Sequence, residues 1–295
     1  MAHYALDAPR AKITPMKIAI QGEIGSFHDA ATRQFFNNTE YSLMCLPSFG
    51  RVFDALADKQ ADFGVVAVEN SLFGAIHETY DQLLKHPLTI IGEVVLHIHQ
   101  QLIAHDGVKL EDIKKVTSHP AALDQCRSFL QKHLPDAELV EHADTAGAVM
   151  DLAKSRDRSA AAIASDFAAK LYDMQIIAPD IEDEPDNVTR FIALSRSPEQ
   201  DKSANKASLI LTTPHQPGAL YKALGIFTKN GCNMTKLESR PVRGKPFQYQ
   251  FIVDAMTNQD QLISLVHELE QIGCQTTLLG HYKSAQQAPG LSNRH

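Results

Sequence analysis

Leu88-Thr89-Ile90-Ile91-Gly92-Glu93-Val94-Val95-Leu96-His97-Ile98-His99-Gln100-Gln101-Leu102-Ile103-Ala104 is the stretch on which the fold turns. It is rich in β-branched and aliphatic residues and has no helical period, so it reads as extended chain throughout. On both sides of it short β-type runs alternate with helical ones. One long extended run in that rhythm carries the chain out of a first α/β lobe and into a second. The return falls in Asp180 to Phe191, which gives two lobes joined by two crossings and a cleft between them.

Working outward, Lys17-Ile18-Ala19-Ile20, Ser42 to Leu46 and Gly64 to Val68 read as strands, separated by helices over Phe27 to Phe36 and Val52 to Lys59. Beyond the crossing, strands are expected at Val116-Thr117, Leu139-Val140, Ala161 to Ala164 and Gln175 to Ile177. Helices Ala121 to Lys132, Ala146 to Lys154 and Phe167 to Tyr172 lie between them. Such alternation predicts mostly parallel sheets with right-handed crossovers. The polar stretch Ser195 to Lys206 has no apolar period and reads as a linker. After it come strand Ala207 to Thr212, helix Ala219 to Lys229, strands Met234 to Arg240 and Phe247 to Ala255, helix Gln261 to Ile272 and strand Gln275 to Leu279. That order is βαββαβ, the ferredoxin-like arrangement, with Asn230-Gly231 as the stop of its first helix.

The chain has 295 residues, which fits more than one domain. A formal net charge of -7 argues against nucleic acid or an anionic membrane as partner. No window holds the run of about 18 apolar residues that spans a bilayer. Met1 to Met16 lacks the apolar core of a secretory signal, so a cytoplasmic location is expected. That location removes the glycosylation reading of Asn187-Val188-Thr189. Cys45, Cys126, Cys232 and Cys274 are far apart, form no metal-binding pattern and are expected as reduced, packed thiols. His97 and His99 share a strand face at a spacing that suits a metal, but without a carboxylate cluster nearby in sequence.

In open α/β sheets ligands collect beyond the carboxyl ends of the strands, at helix N-termini. In this chain those ends carry Gly22-Glu23-Ile24-Gly25-Ser26, Glu69-Asn70-Ser71, Ser118-His119-Pro120, Asp144-Thr145-Ala146-Gly147 and Ser165. The segment Asn187-Val188-Thr189-Arg190-Phe191 enters a further strand. There Asn187 and Thr189 share a face, and Arg190 turns to the other. These ends hold small hydroxyls, amides and glycines with few charges, which suits a compact anion held by backbone N–H groups and neutral donors. Ser118, Asp144 and Thr145 are also ordinary helix caps. GxGxxG and GxSxG are both absent.

Taken together and in order, Val68-Glu69-Asn70-Ser71, Ser118-His119-Pro120, Asp144 to Gly147, Ala161 to Ser165 and Asn187-x-Thr189-Arg190-Phe191 resemble prephenate dehydratase. Pro217-Gly218-Ala219-Leu220 and Glu238-Ser239-Arg240-Pro241 resemble the ACT regulatory domain. The likeness spans roughly Lys17 to Lys283. It implies an α/β catalytic domain of two lobes, like type 2 periplasmic binding proteins, over 17–196. Lobe 1 would be about 17–98 plus 187–196, and lobe 2 about 99–186. A linker at 197–206, an α+β ACT domain at 207–283 and a disordered tail at 284–295 would follow. No fused chorismate mutase domain is expected, because too few residues precede Lys17.

The resemblance implies conversion of prephenate to phenylpyruvate with loss of carbon dioxide and water, without metal or organic cofactor. Thr189 carries over as the catalytic residue, donating a hydrogen bond or relaying a proton, with His119 a distant source. Ser26, Asn70, Ser71, Ser118, His119, Thr145, Asn187, Arg190 and Phe191 are the expected substrate-binding residues; Arg190 either holds a carboxylate or buttresses the loop. L-Phenylalanine as feedback effector would bind between paired ACT domains, at Gly218, Ala219, Leu220, Asn233, Glu238 and Ser239, in a homodimer or homotetramer. The chain departs from the family pattern at Ala121, where many members have Gln, and at His28, where many have Ser or Thr. Arogenate dehydratase and a non-catalytic aromatic amino-acid sensor are the competing readings.

Overall fold

The computed structural model describes residues 15–198, 201–242, 244–245 and 247–285. The first lobe is built from β1 (Met16–Gln21), α1 (Phe27–Phe35), β2 (Tyr41–Leu46), α2 (Phe49–Ala57), β3 (Phe63–Asn70), the short β4 (Gly74–Ala75), α3 (His77–Leu83) and β5 (Thr89–His97). The chain crosses at Ile98 to Gln100 into the second lobe. That lobe comprises β6 (Gln101–Ala104), β7 (Lys115–Ser118), α4 (Pro120–Gln125), α5 (Arg127–His133), β8 (Glu138–Glu141), α6 (Thr145–Ser155), β9 (Ala160–Ala164), α7 (Asp166–Leu171) and β10 (Gln175–Ala178). It returns to the first lobe as β11 (Val188–Ser195). The third module follows: β12 (Lys206–Thr212), α8 (Ala219–Lys229), β13 (Asn233–Pro241), β14 (Tyr249–Met256), α9 (Gln259–Gln271) and β15 (Gln275–Tyr282).

Three sheets result, ordered β2-β1-β3-β11-β5 with β4 beside β3, β10-β6-β9-β7-β8, and β13-β14-β12-β15. The first two are mixed rather than mostly parallel. β1 pairs parallel with β2 and β3, and β7 with β8 and β9. The returning β11 runs antiparallel between β3 and β5, and β6 runs antiparallel to both β9 and β10. The cause is the double crossing: a strand that comes back from the other lobe enters its sheet from the opposite end.

Two helices depart from the expected pattern. α3 was not foreseen; Ile76, Tyr80 and Leu83 give it an i, i+4, i+7 face, with Tyr80 and Leu83 buried. The helix expected over Ala121 to Lys132 breaks at Cys126 (φ -112°, ψ 16°). Asp183 of the return crossing fits into the break, its N–H donating to the Gln125 carbonyl (2.7 Å) and its carboxylate accepting from the Ser128 N–H (3.1 Å).

The first sheet is covered on both faces. Ile18, Ile20, Val65, Ala67, Phe191 and Ala193 pack on one side. Val52, Phe53, Val66, Val68, Ile192 and Leu194 pack on the other. This second core continues without a break into the third module through Ile252, Leu279 and Tyr282. The opposite face of the third sheet holds Leu209, Leu211, Val253 and Ala255 against α8 and α9. The stretch read as linker therefore ends in packed chain: Ala204 and Lys206 are buried. The tail expected at 284–295 lies outside the described residues except for Ser284 and Ala285, whose N–H groups donate to Asn205 and Glu93.

Candidate active site

Where β3 meets β11 the register slips. Thr189 pairs with Asn70 and Arg190 with Glu69, but Phe191 pairs with Ala67, so Val68 is the extra residue of a β-bulge. A bulge turns the side chains beyond it to the opposite face. Simple alternation from Ala67 would put Glu69 in the cleft; the bulge sends Glu69 behind the sheet and brings Asn70 forward beside Thr189. The Asn70 amide Nδ2 then donates to Thr189 Oγ1 (2.9 Å), Asn187 Oδ1 (2.7 Å) and the Val188 carbonyl (3.3 Å). Its Oδ1 accepts from the N–H groups of Leu72 and Phe73 (2.9 and 3.1 Å). With a lone pair of Oγ1 taken by Asn70, the Thr189 proton is the group left to donate, and no acceptor among the described residues takes it.

Thr189 borders a cleft of about 510 Å³ between the lobes, walled by residues of both. Helix caps dominate its polar lining. Ser26 caps α1, Ser48 caps α2, His119 caps α4 and Asp144 caps α6, each accepting from a backbone N–H of its own first turn. Phe27, Phe49, Phe73, Ile76, Ile98 and Phe191 supply the apolar wall. Among the described residues that line it there is neither Lys nor Arg; the carboxylates are Glu78 and Asp144. Burial pushes the Asp144 carboxyl above the usual range, against the opposing pull of the Gly147, Glu23 and Ala146 N–H groups.

His28, at the position where the family resemblance leads one to expect Ser or Thr, lines this cleft. Its Nε2 accepts from the Ala67 N–H (3.2 Å), so the neutral ring carries its proton on Nδ1. The ring meets Phe191 edge-on at 5.1 Å and lies 5.6 Å from Phe49. Burial lowers its pKa from 6.5 to about 3, so the imidazole is neutral at any physiological pH.

The family model for prephenate dehydratase matches residues 18–199. The chain belongs to the prephenate dehydratase family. It is 39% identical over 281 residues to Arabidopsis thaliana arogenate dehydratase/prephenate dehydratase 2, covering 90% of this chain and 72% of that one. The crystal structure of an Arthrobacter aurescens prephenate dehydratase in complex with L-Phe superposes with a TM-score of 0.80 at 31% identity, over 91% of this chain and 90% of that one. A structure described as a novel type of quorum-quenching acylase also superposes at 0.80, with 30% identity over 92% and 98% of the two chains.

Set against the family expectation, Ser26, Asn70, His119, Thr145, Thr189 and Phe191 all line the cleft. Four expected substrate residues do not. Ser71 closes the loop instead, donating to the Asp186 carbonyl (3.0 Å) and accepting from the Val188 N–H (2.9 Å). Ser118 is fully buried and donates to the Ile163 carbonyl (2.6 Å). Asn187 stands behind Asn70 as its acceptor. Arg190 leaves on the far face of β11, because the strand alternates, and its guanidinium meets Asp254, Glu93 and Glu69. Residue reading missed Gln100 and Gln125, a hydrogen-bonded pair in the cleft wall (2.9 Å). The Ala121 methyl lines the cleft where an amide was expected to be missing.

A second groove, about 410 Å³, runs along the third module between Thr212 to Tyr221 and Phe247 to Phe251. Gly218, Ala219 and Leu220 line it, Gly218 with the left-handed φ of 79° that suits glycine. Asn233, Glu238 and Ser239 lie on β13 away from that groove, and Glu238 faces His77 of the first lobe (3.2 Å). His99 pairs with Glu182 (2.8 Å) across the two crossings, with Asp180 close by. That contact ties the crossings together.

Proposed function

We propose that this chain catalyses the decarboxylating dehydration of prephenate to phenylpyruvate in phenylalanine biosynthesis. The observation that carries the reading is the Thr189 hydroxyl, which accepts from Asn70, borders the cleft and keeps its proton free for whatever fills it. In the reaction the bond from ring to carboxylate breaks, its electron pair moves through the ring, and hydroxide departs with a proton. Thr189 stands as the hydrogen-bond donor to that leaving oxygen, an assistance worth about 10²–10⁴-fold in rate. A lining without Lys or Arg leaves the departing carboxylate with no cation to hold it back. The N–H groups that the caps leave free at the first turns of α1 and α2 are suited to the other carboxylate, whereas the first turn of α6 is taken by Asp144.

The specific observation favouring a second substrate is the pair of carboxylates, Glu78 and Asp144, which would attract the ammonium of arogenate. Comparing kcat/KM for the two substrates, by phenylpyruvate and phenylalanine release, decides between them; failure to turn over either sinks the reading. Acylase chemistry needs a nucleophile activated by a base. Among the described residues no cleft hydroxyl is hydrogen-bonded to a histidine; His28 and His119 both accept from backbone N–H groups.

L-Phenylalanine is the effector in this reading, held at the Gly218–Leu220 groove and covered by a second copy of the chain. Tyr221, Phe247 and Tyr249 stand 81%, 85% and 51% exposed beside it, an apolar surface that pairing would bury. A homodimer or homotetramer in the cytoplasm accords with this surface and with four unpaired cysteines.

A further inference from the structure

Back to back with the Asn70–Thr189 pair, across the thickness of one sheet, lies a buried cluster of three cations and three anions. The catalytic lobe supplies Arg190, Glu69 and Glu93; the third module supplies Lys206, Lys236 and Asp254. Arg190 Nη2 is 2.6 Å from Asp254 Oδ2, and its Nε and Nη1 are 3.4 Å from Glu93 and Glu69. The contact with Asp254 is a close ion pair without the alignment of a full hydrogen bond. Lys206 holds Glu93 at 2.9 Å and Lys236 holds Glu69 at 3.0 Å. Asp254 is fixed in turn by Ser208 (2.5 Å), which Tyr282 meets at 2.8 Å.

The placement is specific. Glu69 and Arg190 pair across β3 and β11, and each is the immediate chain neighbour of a member of the catalytic pair. Alternation along each strand puts one of each couple on either face, and the bulge at Val68 brings Asn70 rather than Glu69 to the side of Thr189. Moving Asp254 or Lys236 therefore pulls on the two backbone positions that set the distance from Asn70 to Thr189. We infer that Arg190 and Glu69 are positioning residues, through which Asp254 and Lys236 of the third module hold the Thr189 hydroxyl in its reactive setting and transmit the effector's state to it. This inference rests on the dehydratase reading of the cleft.

The test uses the full chain. Asp254→Asn and Lys236→Met are each expected to lower kcat about tenfold, an amount equal to one hydrogen bond misplaced, while KM stays within about twofold. The half-inhibitory phenylalanine concentration should shift at least about fivefold in the same direction for both. Arg240→Gln is the comparison, because it breaks a bridge to Asp81 between the same two modules without touching β3 or β11. Its kcat should match that of the parent chain. Equal losses in all three variants would make the cluster mere docking and overturn the inference, as would a parent-like kcat in a folded Asp254→Asn. If Asp254→Asn does not fold, Lys236→Met decides alone, since its partner Glu69 keeps Arg190 and partial access to water. Should the parent chain turn over neither substrate, the dehydratase reading fails. The coupling is then judged by amide exchange at 188–190. Phenylalanine must change it in the parent and not in Lys236→Met, and no change in the parent overturns the coupling.

Discussion

The first lobe has two neighbours and meets them in different ways. It joins the second lobe through two thin crossings, laced by Ile98 N–H to the Asn187 carbonyl (2.8 Å), Gln100 N–H to Glu182 (2.8 Å) and Ile181 N–H to the Gln100 carbonyl (2.9 Å). Elsewhere the lobes meet in a small patch where Ser165 donates to the Gly25 carbonyl, Tyr172 donates to the Ile24 carbonyl, and Ala168 and Leu171 face Gly25. Toward the third module it shares a continuous apolar core, an ion cluster, and a close approach of Gly280 to the Ile90 backbone. Hydrogen-bonded crossings permit a hinge, whereas a shared core does not part without exposing apolar surface. The first lobe and the third module are thus packed together, and the cleft lies on the other side of the first lobe's sheet. One face of β11 lines the cleft and the other serves attachment.

The sharpest way to break that contrast is Thr189→Ala, which acts on the cleft face alone. Turnover should fall by at least about a hundredfold, consistent with loss of a general-acid contribution, with KM little changed. Asn70 keeps Asn187 and the Val188 carbonyl as acceptors, so no buried donor is stranded and thermal stability should stay near that of the parent. Steady-state kinetics with a melting curve check both halves; wild-type turnover would remove Thr189 from the mechanism.

Gly280→Ala tests the attachment side. A Cβ there would sit 2.1 Å from the Ile90 carbonyl oxygen and 2.9 Å from its carbon, both backbone atoms that cannot rotate away. Overpacking of this kind costs about 1–3 kcal/mol, read as a lower denaturant midpoint at constant slope. An unchanged midpoint would mean that the two modules separate more easily than their shared core implies.

These two sites also mark how far residues alone carry the reading. The crossing at Leu88 to Ala104 and the ferredoxin-like order were legible, because strand and helix periods are local. Arg190 was placed on the correct face of its strand by alternation, but its partner Asp254 lies 64 residues on, in another module. The bulge at Val68 was out of reach, since register belongs to a pair of strands; single-strand alternation from Ala67 puts Glu69, not Asn70, in the cleft. Ser71 and Ser118 look in sequence just like Ser26. Only packing shows that their hydroxyls serve backbone groups.

The smallest predicted effect belongs to His28, and it runs through both faces of the comparison because a cleft residue here governs stability. Folding lowers its pKa from 6.5 to about 3 by burial. Between those values the unfolded chain binds a proton that the native chain does not. The contribution is therefore fully present above about pH 6.5 and is lost as pH falls toward 3, at about 1.4 kcal/mol per pH unit. Denaturant unfolding at pH 6.3 and 5.3 samples this loss before most carboxylates titrate. His28→Ser should flatten the difference between the two pH values by close to one proton's worth, and equal slopes in parent and variant would show that the ring is not held neutral. Over the same interval the native ring, fixed by the Ala67 N–H, keeps its charge at zero. Mild acid thus weakens the fold before it alters the charge that His28 presents to an anionic substrate.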